Sequence, residues 1–311
     1  MTQRASNGND DQQLLAKIDR LRRERRAVIL AHNYQLGEVQ QVADFCGDSL
    51  DLSRKAAATD AEVIVFCGVH FMAETAAILS PQKTVLLPDP RSGCPMADMV
   101  DAESLRRARA EHPDAVVVTY VNSTAAVKAE SDICCTSANA VQVLESIEPG
   151  RPVLFVPDQY LGTHAGRLAG REIIPWPGYC PTHRRIRAAD VQQARAAHPC
   201  AEVLVHPECR PEVTELADGV LSTGQMIRRV AQSDADTFII GTELGIIHRM
   251  RVENPGKHFV PASEQAICPN MKWNNLEKIA RALESNETVV RVEPEIAARA
   301  RRALERMLEI K

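Results

Sequence analysis

Cysteine directly followed by proline occurs at Cys94, Cys180 and Cys268, separated by 86 and 88 residues. The thiolate is the form of cysteine that binds metals and attacks electrophiles. A proline after it fixes the local backbone and suits the first turn of a helix, whose N-terminal dipole favours the anion. Two further residue types keep the same period. Polar groups close short apolar β-runs at His32, Tyr120 and His206, and hydroxyls open helical patterns at Ser49, Ser137 and Thr223, both sets separated by 88 and 86 residues. In each unit the hydroxyl follows the strand-end residue by 17 positions, and the cysteine follows it by 62, 60 and 62. Such regularity marks an internal repeat.

Compact Cys-x-x-Cys runs are absent, so a metal site here has to be assembled from distant segments. Three thiolates around one axis fit a [4Fe-4S] cluster that keeps one iron open. They also fit Zn²⁺ with His183 of Cys180-Pro-Thr-His183 as a fourth ligand, or three buried thiols with no ligand. The other six of the nine cysteines break the register and read as small core residues. His32, Asn33, Tyr34, Tyr120, Asn122, His206 and Glu208 repeat an i, i+2 pattern in which alternate side chains share a direction. Ser49, Ser137 and Thr223 are either plain helix caps or donors to a carboxylate or phosphate. Asp89, Asp158 and Glu243 read as structural or rim residues, and Arg184, Arg185 and Arg187 as a solvated face.

The elements that would position these groups follow a βαβ pattern: strand, short helix, hydroxyl-capped helix, strand, helix, strand, Cys-Pro and helix. The expected architecture is α/β, with three similar α/β/α units built on small parallel sheets around a pseudo-threefold axis. Strand ends, helix starts and cysteines then converge on a central active-site cavity. A linear solenoid is the competing packing. The expected boundaries are a loose tail at 1–13, units at 14–112, 113–198 and 199–286, and a C-terminal helix within 287–311. With 311 residues, 45% hydrophobic, the chain can bury a core without disulfides. Apolar runs fall short of a membrane span and the N-terminal segment lacks a signal-type apolar region, so a cytoplasmic protein with reduced thiols is expected. A net charge of −4 argues against nucleic acid as a partner.

Leu30-Ala-His-Asn-Tyr-Gln35, Gly47-Asp-Ser-Leu50, Phe66-Cys-Gly-Val69, Phe71-Met-Ala-Glu74 and Cys94-Pro-Met-Ala97 resemble the quinolinate synthase family. So do Tyr120-Val-Asn122, Cys135-Thr-Ser137, His206-Pro-Glu-Cys209 and Cys268-Pro-Asn-Met-Lys272, the resemblance running from about residue 14 to 285. It implies an oxygen-sensitive [4Fe-4S] cluster on Cys94, Cys180 and Cys268. It also implies condensation of iminoaspartate with dihydroxyacetone phosphate to quinolinate, releasing phosphate and water, on the de novo route to NAD. Substrate and intermediates would meet His32, Ser49, Tyr120, Val121, Asn122, Ser137, His206, Pro207, Glu208 and Thr223, with Tyr34 and His183 close to the chemistry. An enzyme producing iminoaspartate is the implied protein partner. Some members carry two further cysteines before the last ligand, where this chain has Ala262 and Gln265, so a disulfide switch is not expected. Ala138 replaces a second serine found in many members.

Dehydration explains the use of an open iron, since a Lewis acid stabilises departing hydroxide. Glu208 and Tyr34 are the expected proton-transfer groups, Glu208 with its pKa raised by a semi-dry cavity. The alternatives are a zinc-dependent lyase or aldolase on sugar phosphates, using the three cysteines and His183, and a non-catalytic iron-sulfur sensor.

Overall fold

Runs such as Val63–Cys67 and Val116–Tyr120 are apolar or β-branched at nearly every position, as strands covered on both faces require. In the computed structural model, which describes residues 8–310, they lie in the middle of three parallel four-stranded sheets. The first holds β1 (Ala27–His32), β2 (Phe45–Gly47), β3 (Val63–Cys67) and β4 (Thr84–Leu86), in the order β2-β1-β3-β4. The second holds β5 (Val116–Tyr120), β6 (Ile133–Cys135), β7 (Val153–Val156) and β8 (Ile173–Pro175), ordered β6-β5-β7-β8. The third holds β9 (Glu202–Val205), β10 (Gly219–Val220), β11 (Thr237–Gly241) and β12 (His258–Pro261), ordered β10-β9-β11-β12. The three topologies are the same, as the repeat predicts.

Alternation along the strands decides how the units join. On one face, Leu30 and Phe66 of the first sheet, Val118 and Phe155 of the second, and Leu204 and Phe238 of the third belong to a single apolar core. On the other face each sheet has a cluster of its own, around Ile29 and Val65, Val117 and Leu154, or Val203 and Ile239. A linear solenoid would not give one core common to all three sheets.

Two local expectations are corrected. Each sheet carries a short strand, β2, β6 or β10, that the sequence pattern does not reveal, because two or three residues are too few to display alternation. The expected hydroxyl caps also shift. Asp48 caps the helix Ser49–Ala58 by accepting from the N–H groups of Leu50 and Asp51, and Ser222 caps Thr223–Gln232 by accepting from Gln225. Before the helix Ala140–Glu145, Asn139 Oδ1 accepts from the Thr136 N–H at 2.8 Å. Ser49, Ser137 and Thr223 are thereby spared the capping role.

Helices from outside the sheets close the assembly. The loose tail expected at 1–13 falls partly outside the described residues, and from Gly8 to Glu24 the chain is a helix. Its Ile18 and Leu21 pack in one cluster with Leu276, Ile279 and Leu283 of the helix Leu276–Ser285. The helix Pro294–Glu309 inserts Ala300, Ala303, Leu304 and Met307 into the shared core, against Ala125–Ala129 and β6.

Phe155 is wholly buried, and a Cβ added at Gly162 would come within 2.6 Å of its ring. Phe155→Ala should therefore destabilise the protein by about 3–5 kcal/mol. Urea denaturation followed by circular dichroism checks this, and a loss below about 1 kcal/mol would mean that the site is far less tightly packed.

Candidate functional site

The carboxyl ends of the strands open onto one cavity at the meeting of the three sheets. All three units contribute. His32, Tyr34, Ser49 and Cys94 come from the first, Tyr120, Asn122, Ser137, Cys180 and His183 from the second, and His206, Glu208, Thr223 and Cys268 from the third. Two expected residues do not face it. Val121 is buried in the apolar core, and Pro207 lines a neighbouring crevice with Ala138 and His164. Each lies just past a strand end where the chain bends, and at Pro207 the Cys209 N–H closes a turn onto the His206 carbonyl at 3.0 Å, so the middle residue is turned away from its two neighbours.

Cys94, Cys180 and Cys268 are partly exposed to this cavity, whereas Cys67, Cys134, Cys135 and Cys209 are buried. Cys46 is half-buried, and Cys200 is exposed at the surface, not in the core as expected. Burial raises the pKa of all three cavity thiols, that of Cys94 to about 12. Against it work the backbone N–H groups three residues on, those of Ala97, His183 and Met271, each directed at its cysteine sulfur. The same donor at the same offset favours an anionic sulfur in each unit, which suits a metal ligand. Cys180, His183 and Glu208 also bring one donor atom each within 4.8 Å of one another.

Glu208 is the centre of the polar wall. Its Oε2 lies 2.6 Å from His183 Nδ1 and 3.8 Å from His206 Nδ1, and its Oε1 accepts from the Tyr120 hydroxyl at 2.5 Å. Burial opposes its charge, but His183 and the Tyr120 hydroxyl outweigh burial and hold its pKa at about 2. This corrects the expected raised value: the carboxylate is buried, but donors converge on it. Beyond His183, Nε2 lies 2.8 Å from Thr242 Oγ1 and 3.4 Å from the Tyr34 hydroxyl, which is itself 2.5 Å from Thr242. Burial raises the pKa of Tyr34 and Tyr120 well above the ordinary value, so both remain proton donors.

His32 and His206 behave alike. Their Nδ1 atoms accept from the backbone N–H two residues on, Tyr34 at 3.2 Å and Glu208 at 3.3 Å, which leaves the proton on Nε2. His206 Nε2 is 3.1 Å from Ser137 Oγ and donates to it, freeing the serine proton for another acceptor. Burial lowers the pKa of both rings to about 3, so they are neutral. None of the described residues lining the cavity is an arginine or lysine, so an anion there is held by neutral donors.

Sequence reasoning missed Thr242 and Asp48 and undervalued Glu243. Thr242 links Tyr34 to His183, and Asp48 lines the cavity beside Ser49. Glu243 accepts from the Cys268 N–H at 3.1 Å and pairs with Lys272 at 2.9 Å. The usable signal was position: Thr242 and Glu243 directly follow β11, at a carboxyl end. Gly245 sits so close that a Cβ there would lie 2.6 Å from the Tyr34 carbonyl oxygen, which keeps the third unit tight against the His32–Tyr34 loop.

This fold and site define a class of α/β enzyme in which repeated units share one reaction chamber, with thiols on one wall and a carboxylate–imidazole cluster on another. The family model described as quinolinate synthetase A protein matches residues 16–309. The match continues through the last helix, beyond the end of the recognisable motifs. Quinolinate synthase of Dehalococcoides mccartyi is 61% identical over 294 residues, 94% of this chain and 97% of that protein. Those of Desulforudis audaxviator and Methanoregula boonei are 58% and 56% identical, covering 96% and 97% of this chain and 98% and 100% of theirs. The chain belongs to the quinolinate synthase family and is an enzyme of NAD biosynthesis. Family and donor set together point to a metal cofactor. No helix among the described residues is long and apolar enough to cross a membrane.

The lowered histidine pKa values make stability depend on pH. Below about pH 6.5 the unfolded chain takes up protons that His32 and His206 refuse until about pH 3, so stability falls across that window. Glu208 acts lower: its contribution is present above its ordinary value of 4.5 and lost toward about 2. Between about pH 7.5 and about pH 5.5, metal-free protein should lose on the order of 1 kcal/mol per histidine, and His206→Asn should lose correspondingly less. Urea midpoints at the two pH values check this, and equal losses in both proteins would contradict it.

Proposed function

We propose that this chain condenses iminoaspartate with dihydroxyacetone phosphate to quinolinate, releasing phosphate and water, with a [4Fe-4S] cluster held by Cys94, Cys180 and Cys268. The observation that carries the reading is the meeting of three equivalent Cys-Pro thiols in the cavity that also holds the Glu208 cluster. When bound, the cluster supplies an open iron that acts as a Lewis acid toward a departing hydroxyl. Iminoaspartate, an imine prone to hydrolysis, would come from a partner enzyme that produces it.

The chain's own groups divide the remaining work. Ser49, Asn122, Ser137 and Thr223, with His32, Tyr120 and His206, hold the carboxylates and later intermediates through neutral donors. Val121 and Pro207 act only through their backbone, setting the flanking side chains. For proton transfer, Glu208 Oε2 stands 2.6 Å from His183 Nδ1, which favours a proton on that nitrogen. With Glu208 strongly acidic, that proton resides on the imidazole, and Nε2 is left to accept. His183 Nε2 then takes protons from, and returns them to, the Tyr34 and Thr242 hydroxyls, and Tyr34 passes them to the substrate. Glu208 orients the imidazole and stabilises its cationic form, much as a carboxylate does for a catalytic histidine.

Cys94→Ser, Cys180→Ser and Cys268→Ser should each abolish stable cluster binding, while Cys134→Ser and Cys209→Ser retain it. Anaerobic iron, sulfide and zinc analysis decides this. Zinc in place of iron and sulfide would favour the lyase or aldolase reading on Cys94, Cys180, Cys268 and His183. Glu208→Gln keeps the shape but removes the anion behind His183, so turnover should fall on the order of 10²–10⁴ with iron content unchanged. Near-normal turnover in anaerobic assays would remove Glu208 and His183 from the proton path.

A further inference from the structure

We propose that Asn33 is a positioning residue which, locked by Arg249, dictates where the Thr223 hydroxyl sends its proton. The inference rests on the reading that Thr223 contacts the substrate anion. Asn33 follows His32 at the end of β1 and is wholly buried. Its side chain spans two units: Nδ2 donates to Thr223 Oγ1 at 3.0 Å, and Oδ1 accepts from Arg249 Nη1 at 2.9 Å. An amide viewed alone could be turned either way, but a guanidinium has only donors, so the atom facing Arg249 has to be the oxygen. The NH₂ group must then face Thr223. A hydroxyl has one proton, and Thr223 Oγ1 here accepts, so that proton points elsewhere, and Thr223 lines the cavity.

Nothing in this chain of bonds is free to turn. Arg249 also donates to the Cys46 carbonyl at 2.8 Å and to Glu253 Oε1 at 2.6 Å. The Asn33 backbone N–H donates to the Gly47 carbonyl at 3.1 Å, and its carbonyl accepts from Gln40 Nε2 at 3.2 Å. The direction of donation thus runs from a cation on the helix Ile246–Glu253, through Asn33, to the first residue of the helix Thr223–Gln232. The charge at its head polarises the amide and strengthens the bond that holds Thr223 as a donor. His206 does the same for Ser137 by a separate route.

The test uses anaerobic holoenzyme and quinolinate as the probe, with affinity read by calorimetry. Thr223→Val should weaken quinolinate binding about tenfold, and Asn33→Leu and Arg249→Met each about three- to fivefold. In the Thr223→Val background the last two should each cost less than about twofold, because the hydroxyl on which they act is gone. In a Ser137→Ala background, by contrast, their full effects should remain. Arg249→Met sits on a partly exposed helix and serves if Asn33→Leu does not fold. Losses that multiply in the Thr223→Val background would overturn the proposal, since Asn33 and Arg249 would then act independently of Thr223. Undiminished quinolinate affinity in Thr223→Val alone would overturn the substrate-contact reading first, and the positioning role with it.

Discussion

A parallel strand with both faces buried reaches water only at its ends, and this constraint organises the whole molecule. The strands β1, β5 and β9 have no solvated face on which to display a functional group. Side chains on one face build the core common to all units, and those on the other are sealed by helices. The carboxyl ends are what remains for chemistry. Because three sheets of equal topology share one core, three sets of strand ends meet in one chamber, and the Cys-Pro turns beyond β4, β8 and β12 open into it as well.

The same burial sets the electrostatics of the chamber. Removing water drives His32 and His206 to the neutral form and keeps Tyr34 and Tyr120 protonated. Alone, Glu208 would be driven the same way, toward the neutral acid. It stays charged because the His183 imidazole, 2.6 Å from one oxygen, and the Tyr120 phenol, donating to the other at 2.5 Å, stand against it. Asp48 and the Lys272-paired Glu243 also line the chamber, but the carboxylate at the centre of its polar wall is Glu208, whose partner, His183, comes from the turn that also carries Cys180. The proposed acid-base group and the proposed metal ligand thus share a four-residue segment, Cys180 to His183.

Repeats were the legible part of the sequence. Spacing alone located the three cysteines, the strand-end residues and the hydroxyls, all of which face the cavity, because spacing records topology and topology dictates where strand ends go. What spacing does not record is direction and environment. Val121 and Pro207 sit inside matching motifs yet point away, and Ser49 and Thr223 gave up capping to Asp48 and Ser222. The acidity of Glu208 depends on His183, 25 positions away in the chain, a pairing that no local pattern announces. Thr242 carries no sequence signal beyond its place after a strand, yet it bridges Tyr34 and His183.

The helix Pro294–Glu309 belongs to no sheet, yet its buried face completes the core between the first two units, and Asn139 Nδ2 donates to its Met307 carbonyl at 3.2 Å. During synthesis, then, the first two units emerge from the ribosome with apolar surface that only a much later segment can cover. The helix Gly8–Glu24 waits likewise for Leu276–Ser285. The nascent chain has to wait for its own distal end, exposed meanwhile to chaperones and to aggregation. A product truncated just before that segment would carry the strands of all three sheets but an unsealed core.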